Sequence, residues 1–358
     1  MKKKKKFTII ISSILVGIIV TYFASCFIGY GVMANILFKK RTCDVEILNT
    51  DPYYTIINSR DDYPNLTNRE EIVFPYKEYN LMGYLYQTEI ERKGLIISAH
   101  GMNSLADGEH AQYQSYYLDK GWDIFAFDMV GCGRSEGKGI LSLAESRFCV
   151  ESAIEAMKEK YEDVPICLIG HSWGGYGVVA ATNNYHVNCV IEFSGFNEPR
   201  DLMLGMANKT TPLASLTAFG FDLALQAFEG NKAYYKASEA VINNPDINYY
   251  LIHGENDDVV PIKNYSIYGQ FADENYQNVK TLMLADSGHI GLWRSKEANE
   301  YFYDKYREIE SLMKTYGSDL PSPLYDDFKA SVDKDKASQL NFELLDDIEE
   351  YLLSSIKI

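Results

Sequence analysis

The sequence predicts an α/β domain on a mainly parallel, doubly wound sheet, carried behind one N-terminal transmembrane helix. Three observations predict it. Short apolar runs alternate with helical stretches from about residue 71 to 316, the rhythm of parallel strands joined by crossover helices. Phe7 to Phe38 runs 32 residues without a charge, more than the roughly 20 that cross a bilayer as a helix. Some fifty residues, Phe196 to about Asp246, then break the alternation. A loop of that length inside a compact domain needs structure of its own and usually has a function.

The N-terminal element comes first. Lys2 to Lys6 precede the apolar run and Lys39-Lys40-Arg41 close it. A cleaved signal peptide has an apolar region of only about 7–15 residues, and "FASC" (Phe23 to Cys26) is followed by more apolar sequence rather than polar. An uncleaved anchor over residues 1–41 is therefore expected. Five basic residues before the span and three after it place the N-terminus in the cytoplasm. The rest of the chain then lies outside the cell.

The net charge of −16 understates the acidity of the body. Residues 1–41 hold eight Lys/Arg and no Asp/Glu, leaving 26 basic against 50 acidic residues in the remainder. Such a body has no footprint for nucleic acid and is repelled by anionic headgroups, so membrane attachment must come from the helix. Six cysteines occur without CxxC or other metal spacing. Cys167 and Cys189 fall in apolar runs, as small core residues do.

Residues 42–70 are polar and rich in Asp, Asn and Tyr, and read as a tether. "EIVFPY" and "LMGYLYQ" follow as an antiparallel pair. The strands "GLIISAHG", "DIFAFDM", "PICLIGH", "VNCVIEFSG", "INYYLIHG" and "VKTLMLADSGH" come next. Helical stretches are expected near 112–120, 143–161, 174–183, 263–276 and 292–316. The long interruption contains "LMLGMANKTTPLASLTAFGFDLALQAF", which reads as apolar helices forming a lid over about 196–246. After Tyr316 a Pro/Ser break opens an acidic tail, 317–358, with one amphipathic helix around Leu340–Ser355, packed on the body or partly mobile.

The chemistry gathers at strand ends. "GHSWG", Gly170 to Gly174, lies between the apolar run "ICLI" and the helix-like "GGYGVVAATNN", the strand–sharp turn–helix setting that exposes a serine hydroxyl. Glycines on either side let neighbouring backbone pass close by. Ser172 is the candidate nucleophile, and a serine needs a base. Of six histidines, His100 and His253 end strands before a glycine and read as backbone-turn residues or as supports behind the site. His171 sits on the strained turn itself. His110 and His186 lie in polar surroundings and read as surface residues. His289, in "ADSGHIGLW", follows the last strand, where a loop can bring an imidazole over the sheet edge. "HGENDDVVP", His253 to Pro261, supplies Glu255, Asp257 and Asp258 as candidate acids between Ser172 and His289. Backbone N–H groups of Trp173 and, from the turn "HGMNS", Met102 are placed to bind an oxyanion. No HExxH or paired metal spacing occurs, and "GCGRSEG" lacks the Lys-Ser/Thr ending of a phosphate loop, so neither metal nor cofactor is expected.

"HGMNS", "DMVGCGRSEG", "GHSWGG", "HGENDDVVP" and "SGH", in this order, resemble the α/β-hydrolase superfamily over about residues 72–315. The serine-aminopeptidase-like and lysophospholipase/monoacylglycerol-lipase-like branches are the most similar. The resemblance implies Ser172 as nucleophile, His289 as base and a lid at 196–246. The family's G-x-x-D-x-x-V-P pattern, laid on Gly254, selects Asp257 over Asp258 as the acid and leaves Glu255 as a solvated edge. The expected function is a membrane-anchored serine hydrolase acting on carboxylic esters, with lipophilic acyl chains such as monoacylglycerol or lysophospholipid favoured by the lid and the anchor. Two other readings stand beside it. A peptidase of the same fold would use "NEPRD" (Asn197 to Asp201) to receive an amino terminus. A non-catalytic binding protein could keep the fold without the activity.

Overall fold

The strands are β1 (Glu70–Tyr76), β2 (Tyr79–Tyr86), β3 (Gly94–Ala99), β4 (Trp122–Phe127), β5 (Ile166–His171), β6 (Cys189–Phe193), β7 (Asn248–Gly254) and β8 (Val279–Leu284). They form one sheet in the order β1-β2-β4-β3-β5-β6-β7-β8. β1 and β2 make an antiparallel hairpin, β2 runs antiparallel to β4, and the other pairs are parallel. The computed structural model describes residues 2–37, 43–137, 139, 142–210, 218–317 and 320–356. This is the α/β-hydrolase architecture that the sequence predicts, with eight strands in the expected places.

The central strands are apolar along their whole length because both faces are covered. Successive side chains go to opposite faces. Leu95, Ile97, Phe125, Leu168, Val190 and Leu251 join one core cluster with the helices Glu145–Lys158 and Trp173–Ala181. Ile96, Ile124, Ile169, Ile191 and Ile252 join the other, with helix Ala111–Asp119 and the C-terminal helix Phe342–Ile356. That last helix buries Leu344, Leu345, Ile348 and Leu352, each worth roughly 2 kcal/mol of transfer free energy. The end of the acidic tail is thus packed as a layer of the domain.

Two regions differ in detail from expectation. The helix expected over 263–276 is two four-residue turns, Ile262–Tyr265 and Tyr268–Phe271. Ser266 separates them: its Oγ donates to the Ile262 carbonyl and accepts from the Gly269 N–H, competing with helical backbone bonds. The polar tether is also firmly seated. Tyr54, Ile56 and Ile57 are buried against Phe302 and Ile309 of helix Lys296–Tyr316, and the Cys43 carbonyl accepts from Gly133 N–H.

The long insertion is helical where described: Pro199–Thr210, Ala218–Glu229 and Ala237–Asn243. Residues 211–217 of the expected lid lie outside the described residues. The N-terminal helix Lys2–Leu37 contains a span, Phe7–Val32, of mean hydropathy 2.3, long and apolar enough to cross a membrane. A signal sequence passes the same test. All six cysteines are buried and none forms a disulfide with another.

Candidate active site

Ser172 stands between the end of β5 and helix Trp173–Ala181, with φ 55° and ψ −111°. A non-glycine residue at positive φ is costly and persists only where its surroundings over-determine it. The flanking glycines show how. A Cβ on Gly170 would lie 2.4 Å from the Gly174 carbonyl oxygen, and one on Gly174 would lie 2.1 Å from the Ala99 carbonyl oxygen. The turn closes because both positions lack a side chain. Ser172 N–H is held by the Phe193 carbonyl at 2.8 Å, which ties the turn to the end of β6.

Asp257 and His289, the candidate acid and base, follow the ends of β7 and β8. β7 and β8 run in register from Tyr249↔Val279 to Gly254↔Leu284. Beyond them the two loops stay zipped: Glu255 N–H donates to Leu284 O at 3.0 Å and Asn256 N–H to Ser287 O at 2.8 Å. A Cβ on Gly254 would meet the Gly288 carbonyl at 2.2 Å, so glycine permits this close approach. The result is a continuous hydrogen-bonded chain. His289 Nε2 lies 2.8 Å from Ser172 Oγ, and His289 Nδ1 lies 2.7 Å from Asp257 Oδ2. The carboxylate only accepts, so Nδ1 carries the proton and Nε2 is left to accept the serine hydroxyl.

Asp257 is buried, whereas Asp258 is exposed and offers only its backbone carbonyl, to Lys209 Nζ. Asp257 Oδ1 accepts from the N–H groups of Val259 and Val260 at 2.9 and 2.8 Å. Burial opposes its ionisation, yet hydrogen bonds from His253, His289 and Val260, with the charge of His289, outweigh it and hold the carboxyl well below the usual carboxylate range. Glu255 does more than edge the turn, because its Oε2 accepts from Asp286 N–H at 3.2 Å.

The other histidines support this core. His253 ends β7 as expected, but its Nε2 also lies 3.3 Å from Asp257 Oδ2 and 2.9 Å from Val260 O. Both are acceptors, so Nε2 bears the proton. His171 Nε2 donates to the His289 carbonyl at 2.7 Å, and burial pushes its imidazole down to about 3, keeping it neutral. His100 Nε2 accepts from Met129 N–H at 3.0 Å, which leaves Nδ1–H to donate to Gly101 O at 2.7 Å. The peptide after Gly101 is planar and trans, so pinning that carbonyl also fixes the direction of Met102 N–H. Among the described residues neither Met102 nor Trp173 N–H has a hydrogen-bond partner. Trp173 N–H opens the helix, where the dipole favours negative charge.

His110 corrects the surface expectation. It is fully buried, with its ring 5.2 Å from Trp293 and 5.8 Å from His171. The polar letters around it mislead because Glu109 beside it is buried too, accepting from Tyr53 Oη, which itself takes a bond from Arg294. Glu109, His110 and His171 each bring one ligand atom within 4.8 Å of the others. Burial raises the Glu109 carboxyl against the field of Arg294. Both His110 nitrogens and His171 Nδ1 are buried without a hydrogen-bond partner among the described residues. His186, in contrast, is exposed, beside Asp246.

Fold and site together define an α/β-hydrolase-fold chain with a nucleophile-elbow serine hydrogen-bonded to a histidine–aspartate pair. Comparison with known proteins points the same way. Residues 90–215, less than half of the chain, match the family described as serine aminopeptidase, S33. The match includes Ser172 but stops before Asp257 and His289. Mouse monoglyceride lipase is 38% identical over 89 residues, which cover 23% of this chain and 28% of that protein. The chain thus aligns with little more than a quarter of the length of this relative. Among solved structures, a Pyrococcus furiosus esterase superposes with a TM-score of 0.49 at 17% identity, covering 69% of this chain and 92% of its own. A Pyrococcus horikoshii acylaminoacyl peptidase does so at 0.45 and 16%, covering 62% and 37%. Over the matched segments the chain resembles serine hydrolases in sequence.

Proposed function

We propose that this chain is a membrane-anchored serine hydrolase that cleaves carboxylic esters. The observation that carries the proposal is the unbroken Ser172–His289–Asp257 chain at 2.8 and 2.7 Å. Ser172 Oγ attacks the ester carbonyl as His289 Nε2 takes its proton. Asp257 holds the imidazole in the productive tautomer and stabilises its charged form. The N–H groups of Met102 and Trp173 receive the oxyanion. His289 then gives its proton to the departing alkoxide, leaving an acyl-enzyme and a free alcohol. Water, activated by His289, releases the acid and restores Ser172.

A lipophilic acyl ester, such as a monoacylglycerol or lysophospholipid, suits the apolar helices beside the site and the likeness to monoglyceride lipase. The anchor places the N-terminus in the cytoplasm and the domain outside. The peptidase reading draws on the serine aminopeptidase match. Its amine receptor is weakened, because Asp201 pairs with Arg200 at 2.6 Å and Asn197 Oδ1 accepts from Ser238 N–H at 2.8 Å.

Fluorophosphonate labelling of wild type beside Ser172→Ala tests the mechanism. Labelling of the first alone is expected. A folded wild type that stays unlabelled sinks the proposal and favours a binding role. An ester panel against aminoacyl amides then separates esterase from peptidase.

A further inference from the structure

The N-terminal helix does not stand apart from the domain. Its last turns lie along the insertion helix Ala218–Glu229. Phe23 meets Phe219 at 5.9 Å, and Phe27 meets Phe228 at 6.2 Å. Tyr30 stacks on Phe228 at 5.3 Å with the rings 16° apart, and touches Phe221 at 5.8 Å. Tyr30 Oη donates to Glu229 Oε1 at 2.5 Å. Gly220 lets the helices close: a Cβ there would lie 2.3 Å from Cys26 Sγ.

From this contact a series of bonds leads to the catalytic acid. Asp222, on the same helix, takes a two-pronged bond from Arg200, Nε to Oδ1 at 2.7 Å and Nη2 to Oδ2 at 2.8 Å. Arg200 begins helix Pro199–Thr210. Near that helix's other end Lys209 Nζ donates to the carbonyl of Asp258, next to Asp257.

The outer face of the pair is apolar. Phe219 and Leu223, one turn apart, are 64 and 41% exposed, Phe228 keeps 55% of its surface exposed beside the stack, and Ile28 of the N-terminal helix is 66% exposed. Three large apolar side chains left open on one helix are costly in water and mark a surface for an apolar partner. Continuity with the span identifies that partner. The 26-residue span Phe7–Val32 is about 39 Å long at 1.5 Å per residue, against about 30 Å of hydrocarbon. The clamped turns Tyr22–Tyr30 therefore run from one interface to about 12 Å inside it, and helix Ala218–Glu229 lies along them.

We infer that the N-terminal helix clamps the insertion helix Ala218–Glu229 into the outer leaflet, and that the site takes single-chain acyl esters directly from the bilayer through this face. The inference rests on the ester-hydrolase and anchor readings above and adds to them a route of entry. A soluble ester reaches Ser172 without the clamp; a bilayer ester depends on it.

The test uses the full chain in phosphatidylcholine vesicles. The ratio of hydrolysis of vesicle-borne monooleoylglycerol to that of soluble p-nitrophenyl butyrate is measured for wild type, Gly220→Leu and Phe228→Ser. The first variant wedges the helices apart and the second removes the stack from the surface. The ratio is expected to fall at least tenfold in both. An unchanged ratio in either folded variant overturns the inference. A second readout needs no activity. A fluorophore on Leu223→Cys, selective because the native cysteines are buried, is expected to lose at least half its emission in vesicles of brominated lipid. Emission equal to that in unbrominated lipid overturns the inference. Absence of Ser172 labelling and of both hydrolyses defeats the hydrolase reading, while the fluorophore still decides where the helix lies. Protein that does not float with the vesicles removes the anchor and the inference together.

Discussion

Asp257 Oδ2 is shared by two imidazoles, His289 at 2.7 Å and His253 at 3.3 Å. His253 comes from the strand that delivers the acid, and His289 from the loop after the neighbouring strand. The carboxylate is therefore held between two imidazoles.

That arrangement separates the three acids of the loop. Asp257→Asn keeps the shape but presents an amide N–H where His289 Nδ1–H must donate, so the imidazole turns to the wrong tautomer. A fall in kcat/KM of about 10⁴-fold is expected, with circular dichroism unchanged. Asp258→Asn, whose side chain is exposed, is expected to stay within about threefold of wild type. Steady-state kinetics on a soluble ester decide between them.

His100 makes stability depend on pH. Burial pushes its imidazole down to about 4 from an ordinary 6.5, with the Gly101 carbonyl acting the other way. The unfolded chain thus binds a proton that the folded chain refuses. His100 contributes full stability above pH 6.5 and loses it as pH falls through 4, by about 3 kcal/mol in all. His100→Gln gives up its hydrogen bonds and lies below wild type at pH 7.5. The gap in Tm between them is expected to narrow steadily from pH 6.5 to 4. A gap that is constant with pH would mean that the imidazole titrates alike in the folded and the unfolded chain.

Gly174 is irreplaceable on steric grounds. An added methyl would sit 2.1 Å from a carbonyl of the neighbouring β3, a clash with backbone that no rotamer relieves. Gly174→Ala is expected to cost about 3 kcal/mol or more through overpacking, read as a lower denaturant midpoint, and to weaken fluorophosphonate labelling by moving Ser172. Gly230→Ala is the contrast. No atom lies within 4 Å of its Cβ position, but φ is +63°, so only the left-handed backbone penalises it, by about 1 kcal/mol.

The C-terminal helix is a structural layer, so removing residues 342–358 strips the cover from Ile191 and Ile252. Truncation is expected to yield insoluble protein. The milder Leu345→Ala should lower stability by about 2–5 kcal/mol, measured by urea unfolding, while leaving Ser172 labelling intact in the folded fraction.

The parts legible in the sequence were those with a local signature. Strands read as apolar runs, and the elbow read as Gly-x-Ser-x-Gly between a strand and a helix. Asp257 stands out in the sequence only by its spacing from Gly254; of the three acids in the loop it is the buried one. What stayed hidden depended on partners far along the chain. His110 looks polar by its neighbours, yet Trp293 and Tyr53 enclose it. The tether looks solvated because its buried apolar residues, Cys43, Tyr54, Ile56, Ile57 and Leu66, are few and separated by polar stretches. The tail looks acidic because its charged face is as dense as its apolar one. Periodicity reports that a face is apolar, but not which surface will cover it.

The seated tether limits what the protein can reach. Cys43 is already bonded to Gly133, so only residues 38–42 separate the helix from the domain, at most about 18 Å of chain. On the anchored reading proposed above, a head mounted that closely cannot swing out to a facing membrane. Its encounters with bilayer esters are then confined to its own leaflet. Turnover of such an ester should follow its surface density among the lipids, whereas a soluble ester follows its concentration in solution.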